Sequence, residues 1–111
     1  MSDNNHRVVV TGLGAITPLC CSVEEFWTSL LAGKSAVHRI TRFDPTNFAV
    51  QIAAEVTCFK VEDYAEYIDR KEARRIDLFI QFAIAAAAQA LKHANLKIDE
   101  SNADEVGSVI G

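Results

Sequence analysis

No apolar run in this chain is long enough to cross a membrane, which removes one class of function at the outset. The longest, residues 78–91, is interrupted by Gln81 and Gln89 and falls short of the roughly 20 residues a spanning helix requires. Residues 1–6 are polar and carry no apolar signal segment, so the chain reads as cytoplasmic. Cysteine is scarce. Three residues, an odd number without an export signal, fit a reducing compartment and free thiols better than a disulfide framework. The cysteines show no C-x-x-C spacing and no histidine pair falls on one helical face, so the sequence calls for no metal and no other cofactor. Positive charge is not in excess either: 11 Lys and Arg against 15 Asp and Glu give −4. That balance argues against nucleic acid as a partner of the whole chain. Internal repeats, low-complexity tracts and linkers are absent.

What is present is a globular composition, 50% hydrophobic and 23% charged, in 111 residues. That length suits one small domain or a piece of a larger one. Residues 7–11, RVVVT, are β-branched and continuous, as in a strand buried on both faces. Gly12, Gly14 and Pro18 break the strand into a loop. Ser22 with Glu25 three residues on forms a capping box, Val23, Phe26, Trp27, Leu30 and Leu31 give helical spacing, and Gly33 ends the helix. A strand followed by a helix points to α/β.

Residues 34–47 read as an ordered loop anchored by Phe43, with a turn at Asp44-Pro45, and residues 48–56 as a strand or extended arm. A short helix is expected over 61–68. Asp69 and Glu72 form a second capping pair that opens one long helix to about Asn95. Residues 105–111 resemble a further strand. On the long helix, Ile76, Phe79, Ile80, Ala83, Ala87, Ala90, Leu91 and Ala94 form one apolar face. Leu78, Phe82, Ala85, Ala86 and Ala88 fill most of the rest, so the helix requires cover on several sides. Two strands and one other helix cannot supply it, which makes the chain part of a larger fold.

Several chemical readings can be weighed on residues alone. Gly12-Leu13-Gly14 after a strand invites a dinucleotide site, but the third glycine of that fingerprint is replaced by Thr17, leaving loop punctuation. Cys20-Cys21 precedes a helix N-terminus, where the dipole favours a thiolate. None of His6, His38 or His93 forms a local signature with them, so they read as small loop thiols, and Cys58 and His93 as structural or surface residues. The knot of Arg70, Lys71, Arg74 and Arg75 is different. It places cations in the first turns of a helix, where the dipole disfavours them, and sets like charges three and four residues apart. Either an anionic partner compensates, or Glu66, Asp69, Glu72 and Asp77 balance a solvated face.

HRVVVTGLGAITPL at the start, FWTSLLAGKSAV, the triplet Arg42-Phe43-Asp44 and RKEARRIDLFIQFAIAAAAQAL together resemble the N-terminus of the β-ketoacyl-ACP synthases. The likeness is strongest to the elongating bacterial branch, 3-oxoacyl-acyl-carrier-protein synthase II, and covers residues 6–111. It implies an α/β fold, the N-terminal part of a thiolase-type layered αβαβα architecture, with residues 1–6 as a polar tail and 7–111 as a partial domain. Such enzymes take an acyl chain from acyl carrier protein onto a cysteine. They decarboxylate malonyl-loaded carrier protein with the help of two histidines and join the carbanion to the acyl group. They are usually homodimers and use no cofactor. No cysteine or histidine here matches that catalytic set, so no catalytic residue is carried over. Lys71, Arg74 and Arg75 match the family's basic patch for the acidic carrier protein, with Arg70 adjacent. Two rivals stay open: a non-catalytic relative, such as the chain-length partner of a polyketide synthase, and a small free-standing module for acidic helices.

Overall fold

Helix α1, Val23–Leu31, forms where the capping box places it, with Ser22 Oγ accepting the Glu25 N–H at 3.4 Å. The computed structural model describes residues 6–111, so the polar tail lies, His6 apart, outside the described residues. Gly33 adopts φ +64° past the C-cap Ala32. The Gly33 and Lys34 N–H groups then reach back to the Leu30 and Ser29 carbonyls, both at 3.0 Å, closing the last turn.

Residues read as loop contain a strand. β1, Val37–Arg39, pairs antiparallel with β2, Ile52–Ala54, in the register Val37↔Ala54, His38↔Ala53 and Arg39↔Ile52. Three residues are too few for alternation to stand out from a loop. The Asp44-Pro45 turn forms, with the Phe48 N–H on the Pro45 carbonyl at 2.9 Å. Phe43 meets Phe48 edge-on at 5.4 Å but is half exposed, so Pro45, which is buried, anchors the loop instead.

The hairpin is fastened by Glu55, a buried carboxylate. It accepts the Thr41 hydroxyl at 2.8 Å, the Thr41 N–H at 3.0 Å, the Arg42 N–H at 3.1 Å and His38 Nε2 at 3.0 Å. The hydroxyl of Thr41, then the two N–H groups and His38, hold its carboxyl at about 2 against a burial effect of opposite sign. His38 Nδ1 faces the Ala36 carbonyl at 2.9 Å. Both partners of the ring only accept, so the doubly protonated imidazolium satisfies them. The Ala36 carbonyl first, then Glu55, raise its pKa above 6.5. The depressed Glu55 contributes fully above its ordinary 4.5 and is lost as pH falls through about 2. The raised His38 contributes fully below 6.5 and is lost as pH rises through its folded value. Denaturation midpoints should therefore peak between those two ordinary values and decline on either side, and Glu55→Gln should flatten the profile. A wild-type midpoint that does not change with pH would refute this reading.

The expected helix over 61–68 reduces to a 3₁₀ turn, Val61–Tyr64, followed by Tyr67 and Ile68 N–H groups on the Tyr64 carbonyl, each at 2.9 Å. Ile68, at 2% exposure, is the most deeply buried large side chain. The long helix is likewise not one helix. α2, Arg70–Ala73, ends at Arg74, Asp77 is extended at φ −65° and ψ 155°, and α3 runs Leu78–His93. The expected end is met: Asn95 takes φ 50°, and the Asn95 and Leu96 N–H groups close onto the Lys92 and Leu91 carbonyls. The break survives because Gln81 supplies what it removes. A continuous helix would pair the Ala73 and Ile76 carbonyls with the N–H groups of residues 77 and 80. Here Gln81 Nε2 donates to both, at 2.9 and 3.3 Å.

The buried stripe of α3 is Gln81, Ala85 and Ala88, not the face read from spacing, where Phe79 is 66% exposed. Against another side lies the loop carrying Gly12 and Gly14, and its glycines are more than punctuation. A Cβ on Gly12 would stand 2.2 Å from the Ala90 carbonyl oxygen, and one on Gly14 only 1.9 Å from that of Ala86. The small alanines let backbone lie on backbone. Leu13 N–H donates to His93 Nδ1 and Ala15 N–H to Gln89 Oε1, both at 3.0 Å. Gln89 Nε2 in turn donates to the Cys21 carbonyl and to the Tyr64 hydroxyl, each at 2.7 Å.

Neither expected flanking strand forms. Residues 7–11 have no regular secondary structure and no strand partner, and 103–105 form a 3₁₀ turn before an end that is likewise unpaired. No described segment lies alongside either one to complete a ladder. Val8, Val10 and Val109 are accordingly wet. The radius of gyration, 18.1 Å, exceeds the ~13 Å of a compact domain of this length. Apart from Pro45, only Ile68, Ala85 and Ala88 are buried apolar residues among those described. The shortage of cover inferred from the alanine-rich helix is therefore present in the molecule.

Candidate functional site

The basic knot rides on α2. Asp69 caps it, its carboxylate accepting the Lys71 and Glu72 N–H groups. Arg70 and Lys71 occupy the single turn, Arg74 is the C-cap, and the Arg75 N–H closes onto the Glu72 carbonyl at 2.8 Å. This corrects the cost argued from a long helix. A four-residue turn has little dipole, and Arg74 and Arg75 lie at its C-terminal end, where positive charge is favoured. Mutual repulsion among the cations remains. All four side chains are exposed, and among the described residues the one ion pair within 4.0 Å joins His38 to Glu55. Glu66, Asp69, Glu72 and Asp77 therefore make no direct contact that neutralises the knot. Arg70 and Arg74 border a shallow cavity of about 290 Å³ with Val61, Glu62, Ala73 and Gln81.

The cysteines depart from expectation. Cys21 and Cys58 form a disulfide, with Cα atoms 5.8 Å apart, while Cys20 remains a thiol. Folding brings together two residues 37 apart in sequence, a proximity that linear spacing does not reveal. Cys20 Sγ contacts Ser29 Oγ at 3.6 Å. The hydrogen bonds of His38 and His93 go to Ala36, Glu55 and Leu13, none to a cysteine. Among the described residues no three His, Cys, Asp or Glu side chains are grouped to hold a metal ion, and no helix is long and apolar enough to span a membrane.

Lys71, Arg74 and Arg75 are exposed on and just after a single helical turn, a shorter support than the long helix read from sequence. Gln81, Gln89 and the Glu55–His38 pair were not singled out from sequence. A signal existed only for Glu55, a carboxylate ending the apolar run of 52–54 in the expected arm.

Residues 5–111 match the family described as Beta-ketoacyl synthase, N-terminal domain. The 3-oxoacyl-(acyl-carrier-protein) synthase 2 of Coxiella burnetii is 50% identical over 105 residues, which cover 95% of this chain and 25% of that protein. The protein of the same name from Synechocystis sp. is 47% identical over 105 residues, 95% of this chain and 24% of its own. That from Staphylococcus aureus strain COL is 45% identical over 109 residues, 98% and 26% respectively. Among solved structures, the ishigamide ketosynthase/chain length factor is similar with a TM-score of 0.62 and 34% identity, covering 80% of this chain and 21% of that one. The chain spans about a quarter of the length of the curated relatives it matches.

Proposed function

The chain belongs to the β-ketoacyl synthase family and has the α/β, thiolase-type fold of its N-terminal domain, and from that membership we propose that it is the N-terminal segment of an elongating 3-oxoacyl-acyl-carrier-protein synthase. The whole enzyme would be a cytoplasmic homodimeric transferase of fatty-acid synthesis, condensing an acyl-enzyme with malonyl-loaded carrier protein. This segment supplies scaffold and a docking surface, Lys71, Arg74 and Arg75, for the acidic carrier protein. It carries no catalytic residue, and the segment alone is inactive. Cys21 is bonded to Cys58 and has no free thiolate to offer.

The observation that carries the docking role is the exposure of these cations with no ion-pair partner among the described residues. Clustered like charge is unfavourable until an acidic surface meets it, and such complementarity chiefly sets encounter rate and specificity. Reversing all three residues to glutamate in the full-length enzyme should raise the apparent KM for acyl-carrier protein ~10- to 100-fold, taking up to ~1 kcal/mol per contact. The effect should shrink as salt is added. A folded triple variant with unchanged KM rejects the assignment.

A second reading is favoured by the similarity to the ishigamide ketosynthase/chain length factor, namely a non-catalytic ketosynthase-like partner. The two differ in the nucleophilic cysteine, and acylation of the full-length protein by a radiolabelled acyl-carrier substrate separates them.

A further inference from the structure

Residues 69–93 have two ways to satisfy their backbone. The sequence pattern favours one continuous helix, in which the Ala73 and Ile76 carbonyls accept from residues 77 and 80. The structure holds the other, with α2 and α3 separated by residues 74–77. In the broken form Asp77 is extended, and the Ile80 N–H closes instead onto the Asp77 carbonyl at 3.1 Å. The two abandoned carbonyls are then met by one side-chain amide, that of Gln81, at 2.9 and 3.3 Å. Gln81 is 7% exposed, so its amide is turned to the two carbonyls rather than to bulk solvent. Without that amide the two part-buried carbonyls would be left without a partner in the protein, at a cost in free energy, and the continuous helix would be the nearest arrangement that pairs them again.

We infer that Gln81 is a positioning residue for the basic surface: it holds the break that sets Arg74 and Arg75 at the end of a short turn. The inference rests on the docking reading above. In a merged helix the same cations would lie in the first turns of a long dipole, where they are disfavoured and differently directed. Gln81 lines the cavity beside Arg70 and Arg74, so its influence on them is local.

The test compares Gln81→Met, which keeps the volume but not the donor, with Gln81→Glu, whose carboxylate adds an acceptor beside two carbonyls. Both are made in the full-length enzyme. The expected result is a ~3- to 10-fold rise in apparent KM for acyl-carrier protein, the equivalent of losing one or two surface contacts. The kcat, and turnover of a small carrier-free acyl thioester, should stay unchanged. In the background of reversed Lys71, Arg74 and Arg75, Gln81→Met should add no further rise. Hydrogen exchange should show new protection at the Asp77 N–H, since the Ile80 N–H is bonded in either form. An unchanged KM in Gln81→Met, while the charge reversal raises it, overturns the role of Gln81 alone. A rise that persists in the reversed background, or an equal fall in carrier-free turnover, also overturns it. If the charge reversal itself has no effect, the docking reading is what fails.

Discussion

Replacing Gly14 with alanine is expected to lower stability by about 3 kcal/mol, at the upper end of what overpacking usually costs. The new methyl would sit 1.9 Å from the Ala86 carbonyl oxygen and 2.9 Å from both the Ala86 carbonyl carbon and the Ala90 nitrogen. All three are backbone atoms of α3, so no side chain can swing away. The loop would have to lift, and the Ala15 N–H bond to Gln89 would be lost with it. Gly12→Ala should behave similarly, being 2.2 Å from the Ala90 oxygen and 2.8 Å from the Ala94 Cβ. Gly107→Ala is the control, since nothing lies within 4 Å of its added carbon. Urea midpoints of the three variants check this. A Gly14→Ala protein that melts with wild type would show that the loop does not lie on the helix.

Opening the Cys21–Cys58 bridge is expected to cost about 4 kcal/mol, from the chain entropy that a closed loop of 37 residues withholds from the unfolded state. Cys58→Ser should reproduce the loss, whereas Cys20→Ser should not, because Cys20 is outside the bridge. Thiol titration of the unreduced, denatured protein gives the direct reading: one reactive group per chain, rising to three after reduction. Three groups before reduction would contradict the bridge.

Local signals carried the parts of the fold that depend on near neighbours. Ser22, Glu25 and Gly33 bracket α1, and Asn95 closes α3, because caps act within a turn of the residue that makes them. The division of the long helix was hidden for the opposite reason. Its break is held by Gln81, five and eight residues beyond the carbonyls it meets, and a glutamine in a helical pattern looks the same whether buried or wet. Valine-rich segments announce that they would pair, not that a partner lies within reach, so 7–11 and 105–111 read as strands and do not form them. Several motifs in order exposed the family, and Lys71, Arg74 and Arg75 were legible as a cluster. What supports that cluster was not.

Gln89 has a consequence for how this sparse molecule loosens. Its single amide touches the glycine loop through Ala15, the bridged segment through Cys21 and the 3₁₀ turn through Tyr64. Two points of the loop before α1 and the distant 3₁₀ turn thus share one fastening on α3, so fraying in either stretch weakens the other. Opening there is cooperative, a single unit of local unfolding assembled around one side chain.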